Sequence, residues 1–287
     1  MTRHALLFLV VIAMAAATAG LAQTPTPSFA SSVESIRVDA LVTRNGRPVI
    51  GLGPGDFEVR DNGVLQKLEL VSYEEIPLNV VLALDMSASL DAKGLEHLRS
   101  AGKTLLNRLK ETDQAALVTF SHLVSAGAPL TSDFDRVRAA LDDTTASGHT
   151  SLVDASFTGM MIGESDVGRS LLIIFSDGID STSWLAAEAV LETAKRSDVV
   201  VYGVEVGRRR LSFLRDLSDA TGGRSIQIES TRNIDAMFRG ILDEFRQRYL
   251  ISYSPEGVTL GGWHSLDVRV KGRNLTVRAR PGYLSEK

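Results

Sequence analysis

Two carboxylates and three hydroxyls stand out because each lies where a predicted strand ends or a predicted helix begins. They belong to Asp85, Ser87, Ser89, Thr150 and Asp177. Hard divalent cations such as Mg²⁺ prefer shells made only of oxygen, and two carboxylates balance the charge of one such ion. Hydroxyls and water fill further positions without adding charge, which leaves room for a carboxylate from another molecule. These residues therefore predict a divalent cation site that can dock an acidic group.

Local hydrogen bonding offers a simpler explanation of the same residues. Ser87, Ser89 and Thr150 could each cap the helix that follows, because serine and threonine hydroxyls are common caps. Asp177 with Gly178 could form only a turn. Capping does not account for two carboxylates at converging strand ends, so we favour the cation site and keep capping as the alternative.

The region that carries these residues alternates between strands and helices, which is typical of a mainly parallel sheet. Apolar runs indicate six strands, at 79–84, 115–120, 123–128, 171–175, 199–206 and 225–228. Among the predicted helices are one that begins near Ser151, one at 184–195 and a long amphipathic one at 234–248. We predict an α/β fold with a doubly wound, six-stranded sheet, in which ligands bind beyond the carboxyl ends of the strands.

Antiparallel strands are predicted on both sides of this region. Asn45-Gly46 and Asn62-Gly63 favour hairpin turns before it, and alternation with a period of two returns after residue 248. Each flank is too small to bury a convincing core alone, and the chain has no cysteine to staple it. We therefore predict that 33–76 and 249–287 pack together as a small β-sandwich-like domain, into which the domain at 77–248 is inserted.

The first 22 residues indicate export. Arg3 precedes an apolar stretch, and small residues lie before an expected cleavage point after Ala22. The apolar stretch is shorter than the roughly 20 residues that span a membrane. We expect a signal peptide at 1–22, a polar linker at 23–32, and a periplasmic or secreted product without a membrane span.

Composition excludes several functional classes. The chain has 31 Lys and Arg against 35 Asp and Glu, which leaves no basic surface for nucleic acid. The absence of cysteine excludes thiol nucleophiles, zinc fingers and iron–sulfur clusters. The sequence also lacks a nucleophile elbow, a zinc-protease helix motif and a phosphoryl-transfer set, so we predict no enzyme.

The candidate residues resemble the metal-ion-dependent adhesion site of the von Willebrand factor A domains, which include the inserted domains of integrins. Asp85-x-Ser87-x-Ser89, Thr150 and Asp177-Gly178 match that site in order and approximate spacing. The resemblance implies that these five residues hold Mg²⁺, Mn²⁺ or Ca²⁺ directly or through water. It also implies that the last helix of the domain can shift when the metal gains a ligand, although the sequence shows no bistable element.

The flanks are similar to those of a bacterial secreted group of von Willebrand factor A-related proteins, in the runs 51–66, 249–253 and 277–283. Ala88 and His149 stand where the family often has glycine, and neither departure removes a ligand. We interpret the protein as an exported, non-enzymatic binding or adhesion module that captures an Asp or Glu of a protein partner through the cation. One alternative is a structural assembly subunit with a vestigial metal site. The other is a metal-assisted hydrolase, with Asp154 or His149 as its general base.

Overall fold

Strands and helices cover most of residues 35–73, 76–165, 167–207, 211–259, 261–272 and 274–285, which are the residues that the computed structural model describes. The predicted signal peptide and linker lie outside this range. The strands are β1 (Ile36–Arg44), β2 (Arg47–Pro48), β3 (Phe57–Asp61), β4 (Val64–Leu65), β5 (Leu70–Ser72), β6 (Leu78–Asp85), β7 (Gln114–Phe120), β8 (Val124–Thr131), β9 (Arg169–Ser176), β10 (Val200–Val206), β11 (Arg224–Ile228), β12 (Tyr249–Tyr253), β13 (Gly262–Val270), β14 (Thr276–Arg278) and β15 (Gly282–Ser285). The helices are α1 (Ala92–Leu106), α2 (Phe134–Asp142), α3 (Leu152–Gly163), α4 (Ala187–Ala194), α5 (Ser212–Ala220) and α6 (Ile234–Arg246). None of these helices is long and apolar enough to cross a membrane.

A six-stranded sheet forms the centre of the α/β region, in the order β11-β10-β9-β6-β7-β8. Its strand pairs are parallel except for the edge pair of β7 and β8. The predicted fold class, a doubly wound and mainly parallel sheet of six strands, is confirmed. Because β6 has later strands of the chain on both sides, the strand order reverses there, and a crevice opens at the carboxyl ends of β6 and β9.

Helices cover both faces of this sheet, which explains the unbroken apolar runs of its central strands. Val80, Leu82 and Leu84 pack against α1, α2 and α6 on one face. Val81 and Ala83 pack against α3, α4 and α5 on the other. Every residue of β6 is buried. The sheet therefore holds the ends of its central strands in fixed positions.

The strands before and after the α/β region pair with each other. One antiparallel sheet has the order β14-β1-β12-β5, with β2 also paired to β1, and the other has the order β15-β13-β3-β4. Val38, Val59, Tyr249 and Ile251 belong to one buried cluster between these strands. Asn45-Gly46 joins β1 to β2 with positive φ at both residues, as the sequence predicted for a hairpin turn.

A buried arginine joins the antiparallel sheets to the α/β region. Arg248 is 0% exposed, and its guanidinium donates to the carbonyl oxygens of Asp39 (2.9 Å) and Gly222 (2.7 Å). It also donates to the hydroxyl of Tyr202 at 3.1 Å. Arg169 forms a further buried ion pair with Asp39. These contacts fix the chain where α6 leads into β12.

One predicted helix begins later than expected. The sequence predicted a helix at 184–195, whereas α4 begins at Ala187, so the prediction is wrong for its first residues. The carboxylate of Asp154 accepts the backbone N–H groups of Trp184 and Leu185, both at 2.9 Å. This contact holds Trp184 in a loop before the helix.

Candidate metal centre

The crevice between β6 and β9 brings the two candidate carboxylates to the same edge of the sheet. Asp85 is the last residue of β6, and Asp177 directly follows Ser176, the last residue of β9. The strands are parallel neighbours, with Leu84 opposite Phe175. The carboxyl ends of the two strands therefore place these aspartates on one side of the crevice.

The loop before α3 is held against the loop that follows β6. Ser147 donates its backbone N–H to the carbonyl of Met86 at 2.7 Å, and Ala88 donates to the carbonyl of Gly148 at 3.0 Å. Gly148 has a φ of 77°, a left-handed conformation that suits glycine. These bonds bring Thr150 to the segment that carries the two candidate serines.

The hydroxyls of Ser87 and Ser89 form a short hydrogen-bonded chain with Asp177. The two hydroxyl oxygens lie 2.9 Å apart. Ser89 Oγ donates to Asp177 Oδ1 at 2.7 Å, across 88 residues of sequence. Three of the five predicted ligands therefore share one small volume, with oxygen atoms close enough to serve a single ion.

Asp85 forms the buried floor of the centre. The residue is 1% exposed, and its carboxylate accepts the backbone N–H of Ser87 (2.9 Å) and the hydroxyl of Ser176 (2.6 Å). Burial raises the pKa of Asp85 to about 6, against the lowering effect of the bonds from Ser176 and Ser87. The negative charge of Asp177 raises this pKa further.

No positively charged side chain in the described residues forms an ion pair with Asp85. A buried carboxylate without a cationic partner is costly, so it is usually paired or bound to a metal. The environment of Asp85 is therefore one that a divalent cation would compensate.

Thr150 lies close to Gly178, and its hydroxyl occupies space that a side chain at position 178 would need. The residue is 5% exposed, and a Cβ atom added at Gly178 would lie only 2.9 Å from Thr150 Oγ1. Real side chains essentially never come so close, so a larger residue at position 178 would displace the hydroxyl. Gly178 thus does more than form a turn after Asp177, because it leaves room for a candidate ligand.

The capping alternative is wrong for the two serines. The N-cap of α1 is Asp91, whose carboxylate accepts the backbone N–H of Gly94 at 2.6 Å. Ser151, and not Thr150, occupies the N-cap position of α3, and its side chain makes no cap hydrogen bond. None of the three candidate hydroxyls therefore caps the helix that follows it, namely those of Ser87, Ser89 and Thr150.

The chemistry of the donor set fits a hard divalent cation. Its five members offer carboxylate and hydroxyl oxygens only, the atoms that Mg²⁺, Mn²⁺ and Ca²⁺ prefer. In the described part of the chain, no group of three or more His, Asp or Glu residues could hold a metal ion. Any ion at this position would thus depend on two carboxylates supplemented by hydroxyls and water.

Sequence reasoning missed two supports of the centre. Ser176 was not among the predicted site residues, although a serine that ends an otherwise apolar strand is a visible signal. Ser183 was missed as well, and its hydroxyl accepts the backbone N–H groups of Val153 and Asp154, both at 3.1 Å. Ser183 therefore ties the loop after Asp177 to the first turn of α3.

The family model of the von Willebrand factor type A domain matches residues 79–239, which is more than half of the chain. The match spans all five candidate ligands and the six-stranded sheet that positions them.

Individual relatives match this chain either over a short segment or at low sequence identity. An uncharacterised protein of Synechocystis is 43% identical over 47 residues, which are 16% of this chain and 11% of that protein. The inter-alpha-trypsin inhibitor heavy chain H2 of Mesocricetus auratus is 23% identical over 205 residues, 64% of this chain and 21% of that protein. This chain thus matches only a small part of the length of either relative.

A solved structure with a similar fold is proximal thread matrix protein 1 of the mussel byssus, described with a zinc-occupied MIDAS motif. The two chains are 16% identical with a TM-score of 0.54, over 63% of this chain and 48% of that one. This likeness shows a shared fold.

Proposed function

The chain belongs to the von Willebrand factor type A domain family, and on that premise we propose that it captures an acidic group of a protein partner through a divalent cation. Members of this family are mostly non-enzymatic interaction modules. The observation that carries the proposal is the chain of oxygens from Ser87 through Ser89 to Asp177, beside the buried and unpaired carboxylate of Asp85.

Five residues would hold the ion, namely Asp85, Ser87, Ser89, Thr150 and Asp177. A bound Mg²⁺, Mn²⁺ or Ca²⁺ would supply positive charge and an open coordination position for a carboxylate oxygen. The zinc-occupied motif of the mussel protein supports the proposal that a domain of this fold takes a divalent cation. The protein's own residues set the geometry, because Ser176 and the backbone of Ser87 orient Asp85.

The contacts of Asp154 argue against one of the two general bases that a metal-assisted hydrolase could use here. Its Oδ2 accepts the N–H of Trp184 and its Oδ1 accepts that of Leu185. A general base must lie within hydrogen-bond reach of the proton that it takes, and both oxygens of this carboxylate are already engaged by backbone donors. Asp154 acts instead as a positioning residue for the loop beside the centre.

We also propose that the protein acts outside the cytoplasm, as an adhesion module exported by a signal peptide at 1–22. The flanks 33–76 and 249–287 would serve as one supporting domain for the binding domain at 77–248. N-terminal sequencing of the protein from periplasmic and culture fractions tests export. A mature chain that still begins at Met1 would contradict it.

Calorimetric titration with MgCl₂ and MnCl₂ tests the metal centre. We expect Asp177→Ala to weaken binding by about a hundredfold, because it removes one of only two carboxylates. Asp216→Ala is the matched control, since this exposed aspartate of α5 forms an ion pair with its neighbour Arg215, away from the centre. Undiminished binding by Asp177→Ala would remove that residue from the proposed ligands.

Partner capture tests the function itself. Immobilised protein is incubated with periplasmic or secreted extract in Mg²⁺, in EDTA, and as the Asp85→Ala variant. The metal bridge predicts proteins that are retained only by the unaltered protein in Mg²⁺. The same retained proteins under all three conditions would favour the assembly subunit, whose β flanks make the contact.

A further inference from the structure

A large apolar side chain stands almost completely exposed beside the candidate metal centre. Trp184 is 94% exposed, and Ile179, in the same loop, is 54% exposed. The loop begins directly after the candidate ligand Asp177 and ends at α4. Exposed apolar groups of this size beside a polar site are typical of interaction surfaces, where tryptophan is enriched among the residues that dominate binding.

The loop that presents Trp184 is held by hydrogen bonds on both sides of this residue. Asp154 accepts the backbone N–H of Trp184 itself. Ser183, the preceding residue, accepts the N–H of Val153 at 3.1 Å. Asp180 accepts the same N–H at 3.1 Å. The backbone that carries the side chain is thus held in place, so little backbone conformational entropy would be lost when a partner covers it.

The same loop is bonded to a candidate ligand. The carbonyl of Thr150 accepts the backbone N–H groups of Ser181 (2.9 Å) and Thr182 (3.2 Å). Because Thr150 is a candidate ligand, these two bonds attach the loop directly to the cation site. A partner that reaches the cation with a carboxylate therefore passes alongside this loop.

The charge of the loop restricts what it can accept. Residues 176–186 contain two aspartates and neither lysine nor arginine. With Asp177 bound to the cation, Asp180 is the charged side chain that remains in the loop, so a second acidic side chain of a partner would be repelled there, whereas an apolar one could cover Trp184 and Ile179. Charge complementarity therefore assigns the partner's carboxylate to the cation and an apolar group of the partner to the loop.

We propose that Trp184 and Ile179 determine specificity, by binding a large aliphatic or aromatic side chain that adjoins the captured Asp or Glu of a protein partner. The inference rests on the proposed function, since it needs a carboxylate held by the cation. The partner is then an exposed protein segment in which an acidic residue neighbours an apolar one.

A phage-displayed library of random linear peptides provides the probe. It is selected on the immobilised protein in MgCl₂, and bound phage are eluted with EDTA. We expect the eluted peptides to be enriched in Asp or Glu next to Phe, Trp, Leu or Ile. Metal-dependent enrichment of acidic residues without any apolar preference would overturn the specificity proposal and leave the proposed function intact. If no acidic residue is enriched in a metal-dependent way, the proposed function fails.

Variants then locate the apolar contact. We expect Trp184→Ser and Ile179→Ser to weaken binding of the strongest selected peptide by about tenfold or more, with unchanged Mg²⁺ affinity in the absence of peptide. Ile50→Ser is the matched control, because Ile50 is 58% exposed but lies in the N-terminal flank. Equal peptide affinity of the loop variants and the control would place the apolar contact elsewhere and overturn the proposal.

Discussion

Ser176 Oγ donates a 2.6 Å hydrogen bond to Oδ2 of Asp85, in the buried floor of the candidate metal centre. The two residues end neighbouring parallel strands, so their relative position is set by the sheet. The other carboxylate oxygen, Oδ1, accepts the backbone N–H of Ser87. Asp85 is therefore oriented from both sides by the protein's own groups, and this orientation is the part of the centre that the fold itself provides.

Removal of the Ser176 hydroxyl should weaken metal binding. Ser176→Ala leaves Asp85 Oδ2 without its donor, so the carboxylate is less well oriented and less readily ionised. We expect Mg²⁺ affinity to fall by about tenfold, as calorimetric titration would measure. Ser225→Ala is the control, because Ser225 donates to a carboxylate of the same sheet, that of Glu205, away from the centre. Equal loss in both variants would show a general effect on the sheet.

Asp85→Asn should stabilise the metal-free protein. The pKa of Asp85 is raised from 3.8 to about 6, so the folded state holds the proton more tightly than the unfolded state. Stability from this group therefore falls as pH rises through this interval, and the full cost, ~3 kcal/mol, applies above it. Asparagine does not ionise. In EDTA at about pH 7 we expect a higher free energy of unfolding in urea, by up to ~3 kcal/mol.

Two further measurements test the prediction for Asp85→Asn, namely the pH dependence of its stability and its Mg²⁺ binding. The difference between Asp85→Asn and the unaltered protein should shrink as the pH is lowered toward about 4, where Asp85 is protonated in the folded state. The variant should also lose Mg²⁺ binding, because a ligand charge is gone. A variant that is less stable than the unaltered protein in EDTA would show that the buried charge is compensated.

The sequence predicted best the positions of residues that directly follow a strand. The apolar run of β6 predicted a central strand because both faces of such a strand are covered. Asp85 and Asp177 could be assigned to one edge of the sheet because each follows such a strand. Their proximity required only the general rule for parallel sheets.

Contacts between distant segments could not be predicted in this way. Trp184 was expected in a helix, yet Asp154 holds its N–H from 30 residues earlier in the chain. The hydrogen bond from Ser89 to Asp177 spans 88 residues. Such bonds depend on loop conformations that neither periodicity nor local propensity specifies.

Gly178→Ala should weaken metal binding through Thr150. The added Cβ would lie 2.9 Å from Thr150 Oγ1, so that hydroxyl must move. We expect Mg²⁺ affinity to fall by about tenfold or more, again by calorimetric titration. The matched control is Gly240→Ala in α6, where a Cβ has nothing within 4 Å and a gain of up to ~1 kcal/mol in helix stability is expected. Unchanged affinity in Gly178→Ala would exclude Thr150 as a ligand.

Arg248→Met should strongly destabilise the fold. The substitution leaves the buried carbonyl oxygen of Gly222 and the part-buried one of Asp39 without the donor that now lies 2.7 and 2.9 Å away. Each unsatisfied buried acceptor costs ~1–3 kcal/mol, so we expect a loss of about 3 kcal/mol or more in urea denaturation. Arg215→Met, in an exposed pair with Asp216, should change stability by less than ~1 kcal/mol. Similar effects of the two variants would show that the hydrogen bonds of Arg248 do not stabilise the fold.

The hydrogen bonds of Arg248 also oppose a movement of α6. The family resemblance implies such a movement when the metal gains a ligand. Phe238, Leu242 and Phe245 of this helix are 0% exposed. Arg246, its last residue, donates to Asp113 at 2.5 Å. A shift of the helix along its axis would have to pull Arg248 away from the carbonyl oxygens of Asp39 and Gly222, at the cost just described.

We therefore expect α6 to stay in place. Amide hydrogen exchange of residues 234–246, measured by mass spectrometry, should be the same in EDTA, in MgCl₂, and in MgCl₂ with a selected acidic peptide. The loop at 177–186 serves as the internal reference, because covering Trp184 should slow its exchange in the presence of peptide. Faster exchange of α6 on peptide binding would show that the helix is released despite Arg248, and that this chain retains the switch.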